Sequence, residues 1–391
     1  MRFILFLIAL PTITNRPLSA DRTASSATSA SFALSASSAS FTRSASSAPP
    51  RLHFFPANDP RFQYTGRIDF SDPAQPRFWA PGVYLKARFD GPSCKILLED
   101  EGLNDSTHNY IAIVVDKQPP RRIKLIQKED TLEIAQTTGF FPDKKTAAGI
   151  HTLTICKDTE SGIGWLLFHG LLCDKLLPPP PRPTRRIEFI GNSITCGTGM
   201  DLSVFPCNQG QWYDQHNAYM SYGPVTSRSL NAEWVLTAVS GIGLIHSCCK
   251  MDITMPQVFD KMNGRANTVS WDFSRYQPDV VAVTLGQNDG IRDSTVFTHA
   301  YLDFIHQIRD HYRSAQIVCL TSPMGGESLT AALKNYIGGI VASCRNAGDT
   351  AVSTFFYSKQ YHTGCGGHPD LAEHQEIAAE LSAYIKRLMN W

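Results

Sequence analysis

The chain has 391 residues, too long for a single small module and of a length that suits two or three domains. Its 36 Lys and Arg stand against 35 Asp and Glu, and a formal charge of +1 lacks the basic footprint of a nucleic-acid binder. Hydrophobic residues make up 42% of the sequence, yet beyond the extreme N-terminus no apolar run approaches the ~18 residues of a membrane-spanning helix, so neither a nucleic-acid partner nor a membrane span is expected.

Arg2, the apolar run Phe3 to Leu10 and the small residue Ala20 have the layout of a secretory signal over residues 1–20, which predicts a secreted or periplasmic protein. Residues 21–48 hold eleven Ser and eight Ala. Such a composition offers too little apolar surface to offset the entropy of ordering, so 21–50 reads as a disordered leader. The ten cysteines include no C-x-x-C pair, and Cys248 and Cys249 are adjacent, which is poor spacing for a metal. Cys196 and Cys207 bracket a short loop; a staple across it in an oxidising compartment and free buried thiols are both open.

From 51 to 177 the text consists of short alternating runs. Val83, Leu85, Ala87 and Phe89 fall on one face, with Tyr84, Lys86 and Arg88 on the other. Similar runs follow at 94–99, 110–116, 122–127, 131–135, 151–156 and 165–172, separated by Gly and Pro turns, and together they predict an all-β sandwich. The proline-rich stretch 178–185 favours extended polyproline geometry and reads as a stiff spacer. Beyond it, over 186–391, strands at 187–190, 234–239, 280–285, 317–321 and 351–356 alternate with helices at 219–230, 297–312, 329–346 and 371–389. That alternation predicts a parallel five-stranded sheet with helices on both faces, whose chemistry collects at the carboxyl ends of the strands.

Four candidate pieces fall at such ends. Gly191-Asn192-Ser193 follows the first strand and presents a hydroxyl. Ser240-Gly241 follows the second, where a residue without Cβ lets a backbone N–H approach a reacting group. Gly286-Gln287-Asn288-Asp289 follows the third and offers a side-chain amide donor. Gly366-Gly367-His368 precedes the last helix and supplies a base on a glycine-rich loop.

In this order the four blocks resemble the signature of the SGNH (GDSL-like) hydrolases, which have a flavodoxin-like α/β fold. The resemblance implies Ser193 as nucleophile, His368 as general base, and Ser193, Gly241 and Asn288 as oxyanion donors. The preceding sandwich, with 66-GRIDF-70, 78-FWAPG-82, 255-MPQVFD-260 and 271-WDFS-274, is similar to carbohydrate esterase family 2. Members of that family are secreted acetyl esterases of xylan and glucomannan. The likeness implies a jelly-roll N-terminal domain, a serine esterase without metal or other cofactor, and an acetylated polysaccharide as partner. One departure stands out: the wider signature has an Asp three residues before the His, and that position is Cys365. The family resemblance allows a Ser–His dyad whose ring is oriented by a backbone carbonyl, so a dyad is expected. Asp370 is expected to cap the last helix instead.

The other histidines, His246, His362 and His374, lack metal-ligand spacing. Trp212, Tyr213 and Tyr361 are candidate platforms for a pyranose face, while Trp79, Trp165 and Trp234 lie in strand-like text and read as core. Two other functions fit the same blocks: a lipase or thioesterase on longer acyl chains, and a carbohydrate-binding protein without catalysis.

Overall fold

A computed structural model describes residues 52–103 and 106–391; the expected signal and leader lie outside these residues. The first domain is all β. It comprises β1 (His53–Pro56), β2 (Gln63–Thr65), β3 (Arg77–Phe78), β4 (Tyr84–Asp100), β5 (Tyr110–Val115), β6 (Arg121–Lys124), β7 (Glu129–Ala135), β8 (Ile150–Lys157) and β9 (Leu166–Leu177), with one short helix, α1 (Lys144–Ala147). Strand order is β1-β9-β4-β8-β5-β6, and β2, β3 and β7 pair at the side.

The two runs read as separate strands at 83–89 and 94–99 are one strand, β4. Its pairing with β9 shifts register between Asp90 and Cys94, around Gly91 and Pro92. The chain therefore bends where a turn was expected, and across the bulge one strand changes partner: its first half pairs with β8 and its second with β7. Leu85, Ala87, Phe89, Cys94, Ile96 and Leu98 point into the core.

The second domain carries five parallel strands: β10 (Arg185–Gly191), β11 (Ala232–Ala238), β14 (Val280–Val283), β15 (Gln316–Leu320) and β16 (Val352–Phe355). A hairpin, β12 (Lys261–Asn263) and β13 (Thr268–Ser270), lies between the second and third and was too short to show in the residue pattern. The sheet order is β11-β10-β14-β15-β16. The chain therefore reverses direction across the sheet at β10, and the crevice beyond the carboxyl ends of β10 and β14 is where such folds hold ligands.

The helices are α2 (Ser193–Cys196), α3 (Tyr222–Ser229), α4 (Met255–Val258), α5 (Ser294–His311), α6 (Glu327–Asn346) and α7 (Leu371–Met389). α5 and α6 bury Phe297, Tyr301, Phe304, Leu333 and Ile337 on one face of the sheet, and α3 and α7 bury Tyr222, Ile377, Leu381 and Ile385 on the other. Asp370 and Glu373 form a reciprocal capping box that starts α7. Among the described residues no helix is long and apolar enough to cross a membrane.

The two domains pack as one compact unit. Trp234 of β11 stacks on Tyr84 of β4, ring centroids 4.0 Å apart, and donates its indole N–H to the Gly82 carbonyl at 2.9 Å. Arg67 and Glu188 form a fully buried ion pair at 2.8 Å across the boundary, and Arg67 also donates to the carbonyls of Phe259 and Lys261. The proline-rich stretch is not a free spacer. Arg182 donates to Glu233, Thr65 and the Tyr64 carbonyl, which lays it over both domains.

Candidate active site

Ser193 follows β10 as the first residue of α2, a single turn that Asn192 caps by accepting the Ile194 N–H at 3.3 Å. This strand-to-helix turn sets the hydroxyl at the sheet edge. His368 arrives from the other side on a loop containing Gly366 (φ 63°) and Gly367 (φ 73°), left-handed conformations that glycine adopts without penalty. The loop folds the imidazole back on itself. His368 Nδ1 lies 2.9 Å from the Cys365 carbonyl oxygen and Nε2 lies 2.8 Å from Ser193 Oγ. A carbonyl only accepts, so Nδ1 carries the proton and Nε2 presents its lone pair to the serine hydroxyl.

Burial of His368 pushes its pKa below the ordinary histidine value, and the hydrogen bond to the carbonyl only partly opposes this. The Cys365 carbonyl is itself held. The Cys365 N–H donates to the Gly199 carbonyl at 2.8 Å, and a Cys207–Cys365 disulfide ties the loop to the segment after α2. Cys207 therefore pairs across 158 residues and not with Cys196, which is a buried thiol. A second disulfide joins the adjacent Cys248 and Cys249.

Gly241 has φ 84°, and a Cβ there would fall 2.9 Å from Cys248 Sγ, so glycine is needed on both counts. Asn288 donates one amide hydrogen to the Ile242 carbonyl at 2.8 Å, which leaves the other free to point elsewhere. Its neighbour Asp289, buried, accepts the N–H groups of Leu244, Ile245 and His246 at 2.7–3.0 Å and so locks the Gly241 and Asn288 loops together. The backbone N–H groups of Ser193 and Gly241 donate to no acceptor among the described residues. Ser193, Gly241, Asn288 and His368 line one cavity of about 530 Å³ with Glu160, Trp212, Cys248, Cys249, Met251 and Arg265. A hydroxyl hydrogen-bonded to a neutral imidazole, facing unpartnered donors, is an arrangement that can form and stabilise a tetrahedral acyl adduct.

Of the three aromatic candidates the structure brings one to the cleft. Trp212 is 52% exposed at its rim. Tyr213 is buried against Tyr110 and Ile163, and Tyr361 is buried with its hydroxyl on Glu380, so neither offers a ring face to a sugar. Their places in the sequence, beside Trp212 and shortly before His368, gave no sign of which way each ring turns. Glu160, Met251 and Arg265 were missed, and Asp289 was read only as part of the Asn288 block. Glu160 sits in a turn far from any motif and Arg265 in the turn between the 255–260 and 271–274 segments, and nothing in the local text marks either as part of a site.

Residues 64–180 match the family model described as carbohydrate esterase 2 N-terminal, and residues 189–384 match the GDSL-like lipase/acylhydrolase family. The chain is 33% identical over 349 residues to a cellulase/esterase from Acetivibrio thermocellus, covering 85% of this chain but only 40% of that longer protein. It is 29% identical over 349 residues to an acetylxylan esterase / glucomannan deacetylase from Cellvibrio japonicus, covering 87% of this chain and 92% of the relative. A solved structure of a family two carbohydrate esterase from Clostridium thermocellum in complex with cellohexaose superposes with a TM-score of 0.76 at 30% identity, covering 84% of this chain and 99% of that one. With both of its domains matched and a solved member aligned along nearly its whole length, the chain belongs to carbohydrate esterase family 2.

Proposed function

We propose that the chain is an exported serine esterase that removes O-acetyl groups from plant cell-wall polysaccharides, xylan or glucomannan, through a Ser193–His368 dyad. The observation that carries this reading is the contact from Ser193 Oγ to His368 Nε2, with Nδ1 engaged by a carbonyl. His368 Nε2 takes the hydroxyl proton as Oγ bonds to the acetyl carbon. The carbonyl oxygen gains the negative charge and accepts hydrogen bonds from Ser193 N–H, Gly241 N–H and the free Asn288 amide hydrogen. Collapse expels the sugar oxygen, which takes the proton from His368, and leaves acetyl-Ser193. Water then attacks the acetyl carbon, giving its proton to His368; acetate departs and the proton returns to Oγ.

The names of the relatives support the substrate class, and Trp212 at the rim supports a pyranose on the leaving-group side. The Cys248 sulfur and the Met251 terminal methyl close in around Gly241, which favours a short acyl group. The Cys207–Cys365 disulfide supports an oxidising compartment. Acetate release from acetylated xylan and acetylated glucomannan tests the reading, alongside 4-nitrophenyl esters from acetate to octanoate. Release from at least one polymer is expected, with kcat/KM falling steeply as the acyl chain lengthens. A preference for octanoate would assign the site to a lipase, and polymer binding without acetate release would end the esterase reading.

The depressed His368 pKa gives a pH dependence with a definite sign. The base works as neutral imidazole, so activity is lost only as pH falls through the pKa of the folded protein, which lies below 6.5. The acid limb of kcat/KM for 4-nitrophenyl acetate is expected below pH 6.5, with a plateau through neutrality. A limb centred above pH 7, as a carboxylate partner for the ring would produce, contradicts the dyad.

A further inference from the structure

Glu160 comes from the all-β domain, in the turn between β8 and β9, yet its side chain ends inside the active site of the α/β domain. It is almost fully buried. One carboxylate oxygen, Oε2, accepts the Ser240 N–H at 2.6 Å and also the Cys196 thiol of α2 at 3.2 Å. Ser240 immediately precedes Gly241, and Cys196 lies one turn along α2 from Ser193. A second connection runs between the same two loops: Ser240 Oγ is 2.8 Å from Thr198 Oγ1, and the Thr198 N–H donates to the Ser193 carbonyl at 3.0 Å. The nucleophile turn and the Gly241 turn are thus joined in a closed ring of hydrogen bonds, and the carboxylate from the other domain is one of its links.

Glu160 is not a displaced triad acid, because both nitrogens of His368 are already engaged, by Cys365 and by Ser193. The turn that carries it is fixed. The buried Lys157 ammonium donates to the Thr159 and Glu160 carbonyls at 2.7 and 3.1 Å, and the Thr159 hydroxyl donates to Asn109. Burial raises the Glu160 pKa, while the Ser240 and Cys196 hydrogen bonds and the nearby Arg265 charge oppose that rise. An acceptor set this rigidly fixes the direction of the Ser240 peptide and with it the aim of the next N–H.

We infer that Glu160 is a positioning residue for the oxyanion site: it holds the Ser240–Gly241 turn so that the Gly241 N–H faces the developing negative charge. The inference rests on the serine esterase reading, and it makes the all-β domain part of the catalytic apparatus. What matters is an acceptor at the right reach, not the charge. Glu160→Gln keeps the reach and loses the charge, whereas Glu160→Asp keeps the charge and falls one methylene short.

In the full chain, Glu160→Gln is expected to retain kcat for 4-nitrophenyl acetate within about threefold, and Glu160→Asp to lose about 10- to 10²-fold, because an ångström of misplacement can cost about 10² in rate. KM is expected to change less than twofold in both. The rate at which a fluorophosphonate labels Ser193 should follow the same order, since its P=O oxygen occupies the oxyanion site. A charge with a merely structural role predicts the reverse order, with Glu160→Asp the milder change. That order, or equal rates in the two variants, would overturn the inference. A wild-type chain that is phosphonylated at Ser193 but releases no acetate ends the acetyl-esterase reading, and the inference is then judged on the labelling rates. A wild-type chain unreactive toward the phosphonate overturns both.

Discussion

Ser193→Ala is expected to lower acetate release by about 10⁴- to 10⁶-fold while polymer binding persists. The size follows from what the substitution removes. Without Oγ there is no acyl-enzyme, and His368 is left to activate water from a position set for a hydroxyl 2.8 Å away. In hydrolases whose nucleophile and base act as a unit, loss of the nucleophile alone costs about as much as loss of the whole set, and the remaining rate comes from binding and the oxyanion donors. Those donors stay in place here, because the Ser193 N–H belongs to the backbone and Gly241 and Asn288 are fixed by other partners. A small residual rate with unchanged affinity for xylo- or gluco-oligosaccharides is therefore the expected outcome, read by acetate release and by affinity electrophoresis. Acetate release within tenfold of the wild type would remove Ser193 from the nucleophile's role.

Much of this arrangement was legible in the residues because each piece is local. The five strands, the three long helices α5 to α7 and the shorter α3 follow from apolar periodicity, and α7 begins and ends where its pattern does, at Leu371 and Met389. Ser193, Gly241 and Asn288 each lie in the loop or turn that follows a strand of one parallel sheet, and the topology gathers such ends at one edge. What was not legible depends on contacts distant in sequence. The Cys207–Cys365 bridge spans 158 residues, and spacing alone left only a staple to the nearer Cys196 or free thiols in view. Cys196 instead meets Glu160, which reaches it from the other domain. Tyr213 and Tyr361 have the chemistry of a sugar platform, but a ring turned inward by packing looks the same in sequence as one turned outward. The bend in β4 was read as a turn because Gly91-Pro92 breaks the alternation, and only pairing with β9 decides between turn and bulge.

Asn288→Ala is expected to lower kcat by roughly 10²- to 10³-fold, the cost of removing one oxyanion donor, or about 2.7–4 kcal/mol of transition-state stabilisation. KM should change little, since the donor acts on charge that exists only in the tetrahedral state. A competing explanation is structural, because Asn288 also donates to the Ile242 carbonyl and so helps to hold the loop that follows Gly241. Asn288→Asp separates the two. It has nearly the same shape, but an ionised carboxylate has no hydrogen to donate and would face both the Ile242 carbonyl and the oxyanion with negative charge. The Asp variant is therefore expected to lose at least as much activity as Ala near neutral pH and, compared with wild type at the same pH, to close part of that gap as the carboxyl is protonated. A loop role alone predicts that both variants lose thermal stability in step with activity, whereas a donor role predicts large losses in kcat at a nearly constant melting temperature. If Asn288→Ala stays within threefold of wild-type kcat, the oxyanion is held by the two backbone N–H groups without it, and the third donor in the proposed mechanism must be withdrawn.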